Sequence, residues 1–224
     1  MSKKRKLKAL AAKRKQARWK GYRGIGSYHC GKYECDHVSP YTKSAGNVDA
    51  DIFVMLQDWS SHKDLNRGFS RDIQRHGYTP NFPTNVRLIE LLKSVFGVEL
   101  SNTYATNLFP FVKQGPMNAR IPASDMRRAA REFAIPQVEI VSPKIVICLG
   151  LPTFRAMQAE CGERRSRSIP DALANPFSLG SSEVWCQAHT GGLGRATRNR
   201  GGVDRVTADW RRMKRRFDRL TRVE

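Results

Sequence analysis

Four apolar runs, separated by segments with helical periodicity, constrain the fold of this chain most strongly. They cover residues 52–57 (IFVMLQ), 103–111 (TYATNLFPF), 144–150 (KIVICLG) and 183–189 (EVWCQAH). The third run is apolar at nearly every position, which is typical of a strand that is buried on both faces of a parallel sheet. Strands that alternate with helices predict such a sheet covered by helices. We therefore predict a single α/β domain with a central, mostly parallel, four-stranded sheet flanked by helices.

The segments between and after these runs supply the helices. Pro83 opens a stretch in which leucines recur on one face, and Pro136 must kink or break a second helix. The C-terminal stretch carries Trp210, Met213 and Phe217 at helical spacing, so it is amphipathic. We predict helices over 83–96, 123–142, 153–161 and 208–224, and a loop rich in glycine and arginine over 190–202.

The composition narrows the class of partner. The chain has 224 residues and a formal net charge of +20, which favours a polyanionic partner. Nucleic acid is the commonest polyanion in a cell, although an acidic membrane surface or ribosomal RNA would match the same charge. No apolar run approaches the roughly 18 residues of a membrane span, and no signal-peptide core is visible at the N-terminus. We expect a monomer that acts in the cytoplasm.

The positive charge is concentrated at the N-terminus. Residues 1–33 contain twelve Lys and Arg and no Asp or Glu. Such a charge run with little apolar face is typical of a disordered or conditionally helical arm. We predict a basic, flexible arm over 1–35, and a globular domain over 36–224.

Five cysteines, at positions 30, 35, 148, 161 and 186, are too widely spaced for a disulfide framework and suit a reducing compartment. His29, Cys30, Cys35 and His37 supply enough ligands for a zinc site in principle. Two cysteines with no second pair are a weak metal signal, however. We predict local loop packing, with no metal and no cofactor.

Each apolar run ends close to a residue that suits a binding site. Gln57 and Asp58 lie at the end of the first run, Asn107 in the second, Gly150 at the end of the third and His189 at the end of the fourth. The carboxyl ends of parallel strands open on one edge of the sheet, where α/β proteins place their binding sites. The sequence therefore predicts one crevice lined by a carboxylate, a carboxamide and an imidazole.

These residues, in this order, resemble the uracil-DNA glycosylase superfamily. The resemblance rests on Gln-Asp after an apolar strand, Asn in ATNLFPF, the run PKIVICLG, and a strand-end His before a Gly-rich loop, and it covers about residues 50–215. NFPTNVRLIELL and ADWRRM are similar to a divergent bacterial branch. The family's first motif, Gly-Gln-Asp-Pro-Tyr, is Leu56-Gln57-Asp58-Trp59-Ser60 here, and its His-Pro-Ser is His189-Thr190-Gly191. Iron–sulfur members use four cysteines at matching places, which this chain lacks.

The resemblance implies a monofunctional glycosylase that removes uracil from single- or double-stranded DNA. It also implies that the protein is associated with the bacterial nucleoid through DNA. Asp58 would stabilise the cationic sugar and orient the attacking water, while neutral His189 would donate to uracil O2. Backbone amides near Gln57 would assist. The carboxamide of Asn107 would read uracil O4 and N3 and reject cytosine.

A flipped base also needs an aromatic platform and a wall that excludes the methyl group of thymine. Phe82 is the first candidate for the platform, followed by Trp59 and Tyr78. Ser60 occupies the position of the family's tyrosine wall but is too short, so Trp59 is the candidate replacement.

Residues around the crevice are expected to hold DNA. PTN (83–85) and GLPT (150–153) precede helices, where free N–H groups and hydroxyls bind phosphate. Leu193 would enter the gap left by the flipped nucleotide. The predicted DNA-binding residues are Thr84, Asn85, Gly150, Thr153, Thr190, Leu193, Arg195, Arg198 and Arg200.

Two alternatives stay open at this point. The base removed could be hypoxanthine, xanthine or a mismatched base instead of uracil. The chain could also be a basic nucleic-acid-binding protein that keeps the fold without catalysis.

Overall fold

A five-stranded sheet forms the centre of the protein in the computed structural model, which describes residues 1–222. The strands are β1 (Ile52–Asp58), β2 (Tyr104–Phe109), β3 (Ile145–Leu149), β4 (Phe177–Leu179) and β5 (Ser182–Gln187). Their order is β2-β1-β3-β5-β4, and only the β4–β5 pair is antiparallel within the described chain. The α/β class and the mostly parallel sheet are confirmed, whereas the predicted number of four strands is wrong by one.

The strand that sequence analysis missed is β4, a short edge strand. It has three residues, of which Phe177 is buried and Ser178 is exposed. It pairs with β5 through a tight turn in which Gly180 has a φ of 58°, a left-handed conformation that favours glycine. Three residues with one buried apolar side chain give no recognisable periodicity, which explains the error.

Helices cover both faces of the sheet. They are α1 (Lys3–Gln16), α2 (His62–Leu65), α3 (Arg71–His76), α4 (Pro83–Leu91), α5 (Ala123–Ala129), α6 (Ile135–Val141), α7 (Leu151–Glu160), α8 (Ile169–Ala174), α9 (Gly192–Arg198) and α10 (Arg205–Thr221). None of the helices in residues 1–222 is both long and apolar enough to cross a membrane.

Most of the predicted helices are confirmed, with local differences. A π-helical turn continues α4 to Phe96, as the predicted range 83–96 requires. Another π-helical turn (Ala130–Ala134) separates α5 from α6, and Pro136 lies in the first turn of α6, where its missing N–H is tolerated. The predicted loop over 190–202 contains α9, so that part of the prediction is wrong. Residues 223–224 of the last predicted helix lie outside the described residues.

The core lies on both faces of the sheet. On β3, Val146 and Cys148 face one apolar cluster, whereas Ile147 and Leu149 face the other, and all four are fully buried. Trp210 of α10 is buried against the second face. Each such side chain stabilises the fold by roughly 1.5–3 kcal/mol. The sheet is therefore a rigid platform, and its carboxyl edge holds the strand-end residues in fixed positions.

The basic N-terminal segment packs on the domain in the structure, in contrast to the flexible arm that we expected. Residues Lys3–Gln16 form α1, which buries Leu7 and Ala11. Trp19 continues this contact, with its ring centroid 4.9 Å from that of Phe111. The sequence of this segment has few apolar residues among many lysines, and this pattern was too weak to predict that the segment packs on the domain.

Arg14 fixes this segment to the loop that follows it. Its side chain is 1% exposed and forms an ion pair with Glu34, and it also donates to the carbonyls of Cys35 and His37. Burial alone would raise the pKa of Glu34, but the hydrogen bond and the charge of Arg14 outweigh burial and hold this pKa below its ordinary value of 4.5. The resulting stabilisation is complete above pH 4.5 and is lost as the pH falls through the lowered pKa.

Replacing Arg14 with Met should therefore lower the free energy of unfolding by about 3 kcal/mol at pH 7, because Glu34 and two carbonyls lose their partner. Chemical denaturation at pH 7 and pH 4 measures the change, and the loss should be smaller at pH 4. Arg5→Met is the matched control, since Arg5 is an exposed arginine on the same helix, and it should change stability by no more than about 0.5 kcal/mol. Equal effects of the two substitutions would contradict the anchoring role of Arg14.

Candidate active site

A cavity of about 540 Å³ lies at the carboxyl edge of the parallel strands. Most of the side chains predicted from the strand ends meet there. The predicted residues that line it are Gln57, Asp58, Trp59, Ser60, Tyr78, Phe82, Thr84, Asn85, Asn107, His189 and Leu193. The register explains this convergence, because Leu56 pairs with Asn107 and Asp58 pairs with Phe109 on neighbouring strands.

Asp58 ends β1 and turns its carboxylate into this cavity. Gln57 Nε2 donates to Asp58 Oδ1 at 2.9 Å, and Lys113 Nζ lies 2.9 Å from Oδ2. The side chains of Lys113 and Asp58 are only 4% and 5% exposed. Despite the ion pair, Oδ2 accepts no hydrogen bond of regular geometry. Oδ2 has almost no exposed surface, so the carboxylate is held against Lys113 in this structure.

Lys113 is a site residue that sequence analysis missed. Its amine also donates to the carbonyl of Met117, and its backbone N–H donates to Ser60. A buried lysine costs free energy unless it is paired, so Lys113 and Asp58 stabilise each other's charged forms. The available signal was a single charge that directly follows the apolar segment FPFV at a strand end.

His189 follows β5 and faces the same cavity. Burial lowers the pKa of this imidazole below its ordinary value of 6.5; Asp58 opposes this effect, and Lys113 adds to it. The backbone N–H of Gly191 donates to Nδ1 at 3.0 Å, so the proton of the neutral ring is on Nε2. His189 is therefore a neutral hydrogen-bond donor at neutral pH.

Two glycines allow the chain to pack closely around His189. A Cβ at Gly191 would lie 2.9 Å from His189 Nδ1 and 2.9 Å from Thr84 Oγ1. A Cβ at Gly194 would lie 2.3 Å from the carbonyl oxygen of His189. Gly191 and Gly194 therefore allow the close packing around His189, whereas a Cβ at Gly192 would meet no atom within 4 Å.

Asn107 forms the floor of the cavity and is 1% exposed. Its Oδ1 accepts a hydrogen bond from Ser39 Oγ at 2.6 Å. Ser39, which sequence analysis did not consider, comes from the segment that links the N-terminal helix to β1. The hydrogen bond between Ser39 and Asn107 joins residues that are 68 positions apart in the sequence, so no local pattern predicts it.

Aromatic side chains also line the cavity. Trp59 Nε1 donates to the carbonyl of Gly77 at 2.7 Å, and the ring of Trp59 meets Tyr33 edge to face with centroids 5.6 Å apart. Phe82 is 50% exposed at the rim. Tyr78 stacks on Tyr41 with centroids 4.9 Å apart. Tyr33 was also missed, because its segment was interpreted as a flexible arm.

Some of the predicted DNA-binding side chains are free, while others are engaged within the protein. Leu193 is 85% exposed, and Arg195 and Arg200 are also exposed. Arg198 is different, since it binds both carboxylate oxygens of Asp209 at 2.6 and 2.9 Å. The cations available to a phosphate in α9 and its flank are therefore Arg195 and Arg200.

The predicted phosphate ligands before the helices are used internally. Asn85 donates to the carbonyl of Thr79 and accepts from Tyr41, and Thr153 donates to the carbonyl of Leu149. The hydroxyl of Thr190 donates to the carbonyl of Thr84, and the N–H of Gly150 donates to Gln187. These groups form hydrogen bonds within the protein in this structure.

The histidines and cysteines of residues 29–37 do not come together. His29 contacts the carbonyl of Leu65 at 2.6 Å, and Cys30 is exposed. Throughout residues 1–222, no group of three or more His, Cys, Asp or Glu side chains could hold a metal ion. The cysteines of this part of the chain therefore do not fit a four-thiolate cluster.

The chain is similar to a distant relative over part of its length. No protein-family model matches the chain. A type-4 uracil-DNA glycosylase from Sulfurisphaera tokodaii is 30% identical over 79 residues, which are 35% of this chain and 34% of the relative. The match thus spans about a third of either protein. Together with the α/β fold, it supports a distant, partial relationship to uracil-DNA glycosylases.

The contact between Gly191 and His189 gives a test that does not depend on function. In Gly191→Ala the added methyl group must displace the ring, so the Nε2–H form should lose its preference and the pKa of His189 should move towards 6.5. Titration of the ring nitrogens by ¹⁵N NMR measures both changes. Gly192→Ala is the control, since no atom lies within 4 Å of its added Cβ. Identical titrations for Gly191→Ala and the parent chain would contradict this account.

Proposed function

We propose that the protein is a monofunctional DNA glycosylase that flips uracil out of DNA and hydrolyses its N-glycosidic bond, leaving an abasic site. One observation carries this proposal: the side chains of Asp58, Asn107 and His189 line one cavity at the sheet edge. They supply an anion, a reader of base edges and a neutral proton donor. The partial similarity to a type-4 uracil-DNA glycosylase supports the same class of reaction.

Asp58 would act on the sugar. Cleavage of an N-glycosidic bond develops positive charge on the sugar, and a fixed carboxylate stabilises that charge in a site shielded from water. As a carboxylate that lines the cavity, Asp58 can accept a hydrogen bond from the attacking water and orient it towards C1′. Gln57 and Lys113 hold the carboxylate in place through its two oxygens.

His189 would act on the departing base. Negative charge develops on the uracil ring as the bond breaks, and the Nε2–H of His189 can donate to O2, where part of that charge accumulates. The neutral form is suited to this role, since a bound proton on Nδ1 would displace the N–H of Gly191. Lys113, in the same cavity wall, adds positive charge that favours the anionic leaving group.

The rim of the cavity would hold DNA. Leu193 is an exposed leucine at the start of α9, positioned to fill the space that a flipped nucleotide leaves in the stack. Arg195 and Arg200 flank it as free cations for phosphates, and the net charge of +20 favours DNA overall. Phe82 offers its half-exposed ring as a stacking surface for the flipped base.

Trp59 would exclude thymine, the commonest competing base. Ser60 is too short to contact the 5-methyl group, whereas Trp59 is held on the cavity wall by Gly77 and Tyr33. A methyl clash is worth roughly 1–3 kcal/mol, so Trp59→Ala should raise thymine excision relative to uracil about 10- to 200-fold. Phe82→Ala should instead reduce the excision of both bases. A Trp59→Ala protein that removes uracil and still ignores thymine would exclude Trp59 from this role.

The proposal is tested with matched oligonucleotides, single- and double-stranded, that carry uracil, thymine, hypoxanthine or xanthine. Alkaline cleavage after incubation with the protein reveals abasic sites. Uracil should be removed from both forms, with no strand cleavage before the alkali step. If the protein removes only a base other than uracil, that base is the substrate. If it removes none of the four bases, the result contradicts the proposal and favours a DNA-binding protein without catalysis.

Asp58→Asn should reduce uracil excision by about 10²–10⁴-fold, the range for loss of a positioned charge or general base. DNA binding should persist, because the rim residues are unchanged. Asp64→Asn is the matched control: Asp64 lies in the same cavity wall, but its carboxylate accepts a hydrogen bond from the hydroxyl of Ser61, the N-cap of α2. Single-turnover rates under saturating protein compare the two variants, and thermal melting checks that both fold. Equal rates for Asp58→Asn and the parent chain would exclude Asp58 from the mechanism.

A further inference from the structure

The orientation of the Asn107 carboxamide is fixed by one neighbour. Ser39 Oγ lies 2.6 Å from Asn107 Oδ1, and both residues are 1% exposed. Among the described residues, Asn107 Nδ2 has no hydrogen-bond partner, although its side chain lines the cavity. One end of the carboxamide is thus bound inside the protein, and the other end faces the ligand space.

The hydrogen-bond direction follows from the third member of this group. Ser39 Oγ accepts the backbone N–H of Tyr41 at 3.2 Å, where Ser39 caps the short 3₁₀ turn Pro40–Lys43. Ser39 is buried, and among the described residues the other partner of its Oγ, the Tyr41 N–H, can only donate, so Asn107 must supply the acceptor for the hydroxyl proton. The facing atom is therefore Oδ1, and Nδ2 presents its N–H groups to the cavity.

We propose that Ser39 is a positioning residue that determines specificity. By fixing the carboxamide of Asn107, it makes the site select deaminated bases, in which an exocyclic carbonyl replaces the amine of the parent base. The inference rests on the proposed function and deepens it. Nδ2 can donate to uracil O4, whereas the amine of cytosine would face another donor and leave both groups unpaired. The same logic accepts O6 of hypoxanthine and rejects the amine of adenine.

Without the hydroxyl of Ser39, the carboxamide can rotate by 180° and present Oδ1 instead. That orientation accepts a hydrogen bond from an amine, so discrimination between uracil and cytosine falls. When the wrong base binds, a buried polar group of the site is left without a hydrogen-bond partner. This loss lowers the affinity for the wrong base by roughly 10- to 100-fold relative to the right one. Ser39→Ala should remove most of that preference.

Binding to single-stranded oligonucleotides with 2′-fluoro-deoxyuridine or 2′-fluoro-deoxycytidine tests this, because the 2′-fluorine resists cleavage and base pairing is absent. The parent chain should prefer the uridine analogue at least 10-fold, and Ser39→Ala should reduce the preference to about 2- to 3-fold. Ser39→Cys, with a weak donor of similar size, should be intermediate. Ser44→Ala is the matched control, because Ser44 ends the same turn and donates to the carbonyl of His76, away from Asn107.

A double-mutant cycle shows whether Ser39 acts through Asn107. In an Asn107→Ala background, Ser39→Ala should cause no further loss of preference, since the carboxamide is already absent. Additive losses, or an unchanged preference in a folded Ser39→Ala protein, would overturn the inference. Thermal melting identifies variants that do not fold, and Ser39→Cys then carries the test.

This binding experiment separates the inference from the proposed function. A parent chain that binds the uridine analogue selectively but never releases a base would contradict the glycosylase proposal and leave the role of Ser39 intact. If the parent chain excises uracil and the Ser39→Ala variant keeps the full preference for the uridine analogue, the glycosylase proposal stands and the role of Ser39 is contradicted.

Discussion

The parallel pairing of β1, β2, β3 and β5 is the constraint on which the rest of the structure depends. It brings four carboxyl ends to one edge, and the register places Asn107 beside Leu56 and Asp58 beside Phe109. Because β3 is buried on both faces, the sheet cannot shift without opening two apolar clusters. The polar side chains at the edge are therefore held in place by the core, and the cavity is largely formed before any ligand binds.

Charge within the cavity is balanced by buried partners. Asp58 and Lys113 are nearly inaccessible, and each would be costly to bury without the other. His189 stays neutral through burial and accepts the N–H of Gly191, which fixes its donor nitrogen. An anion, a paired cation and a neutral donor thus coexist in one cavity, an arrangement suited to separating a cationic sugar from an anionic base.

The sequence predicts the parallel sheet and the convergence of Asp58, Asn107 and His189, because both follow from local apolar runs and from the geometry of strand ends. It does not predict the contributions of Lys113, Ser39 and Tyr33, since these depend on contacts between distant segments. Arg14 is an example: its ion pair with Glu34 converts an apparent charge run into part of the domain. Similarly, α9 forms in a glycine-rich segment that propensity alone assigns to a loop, with Arg198 bound to Asp209 of α10.

A crystal structure with DNA that carries uncleavable 2′-fluoro-deoxyuridine tests the central claim most directly, namely that the sheet edge receives a flipped base. The account predicts uracil in the cavity, with Asn107 Nδ2 donating to O4, His189 Nε2 donating to O2, and the carboxylate of Asp58 beside C1′. Leu193 should fill the vacated space in the stack. A uracil that stays stacked in the DNA, or DNA bound only along the exposed arginines of α10 and away from the cavity, would contradict the account.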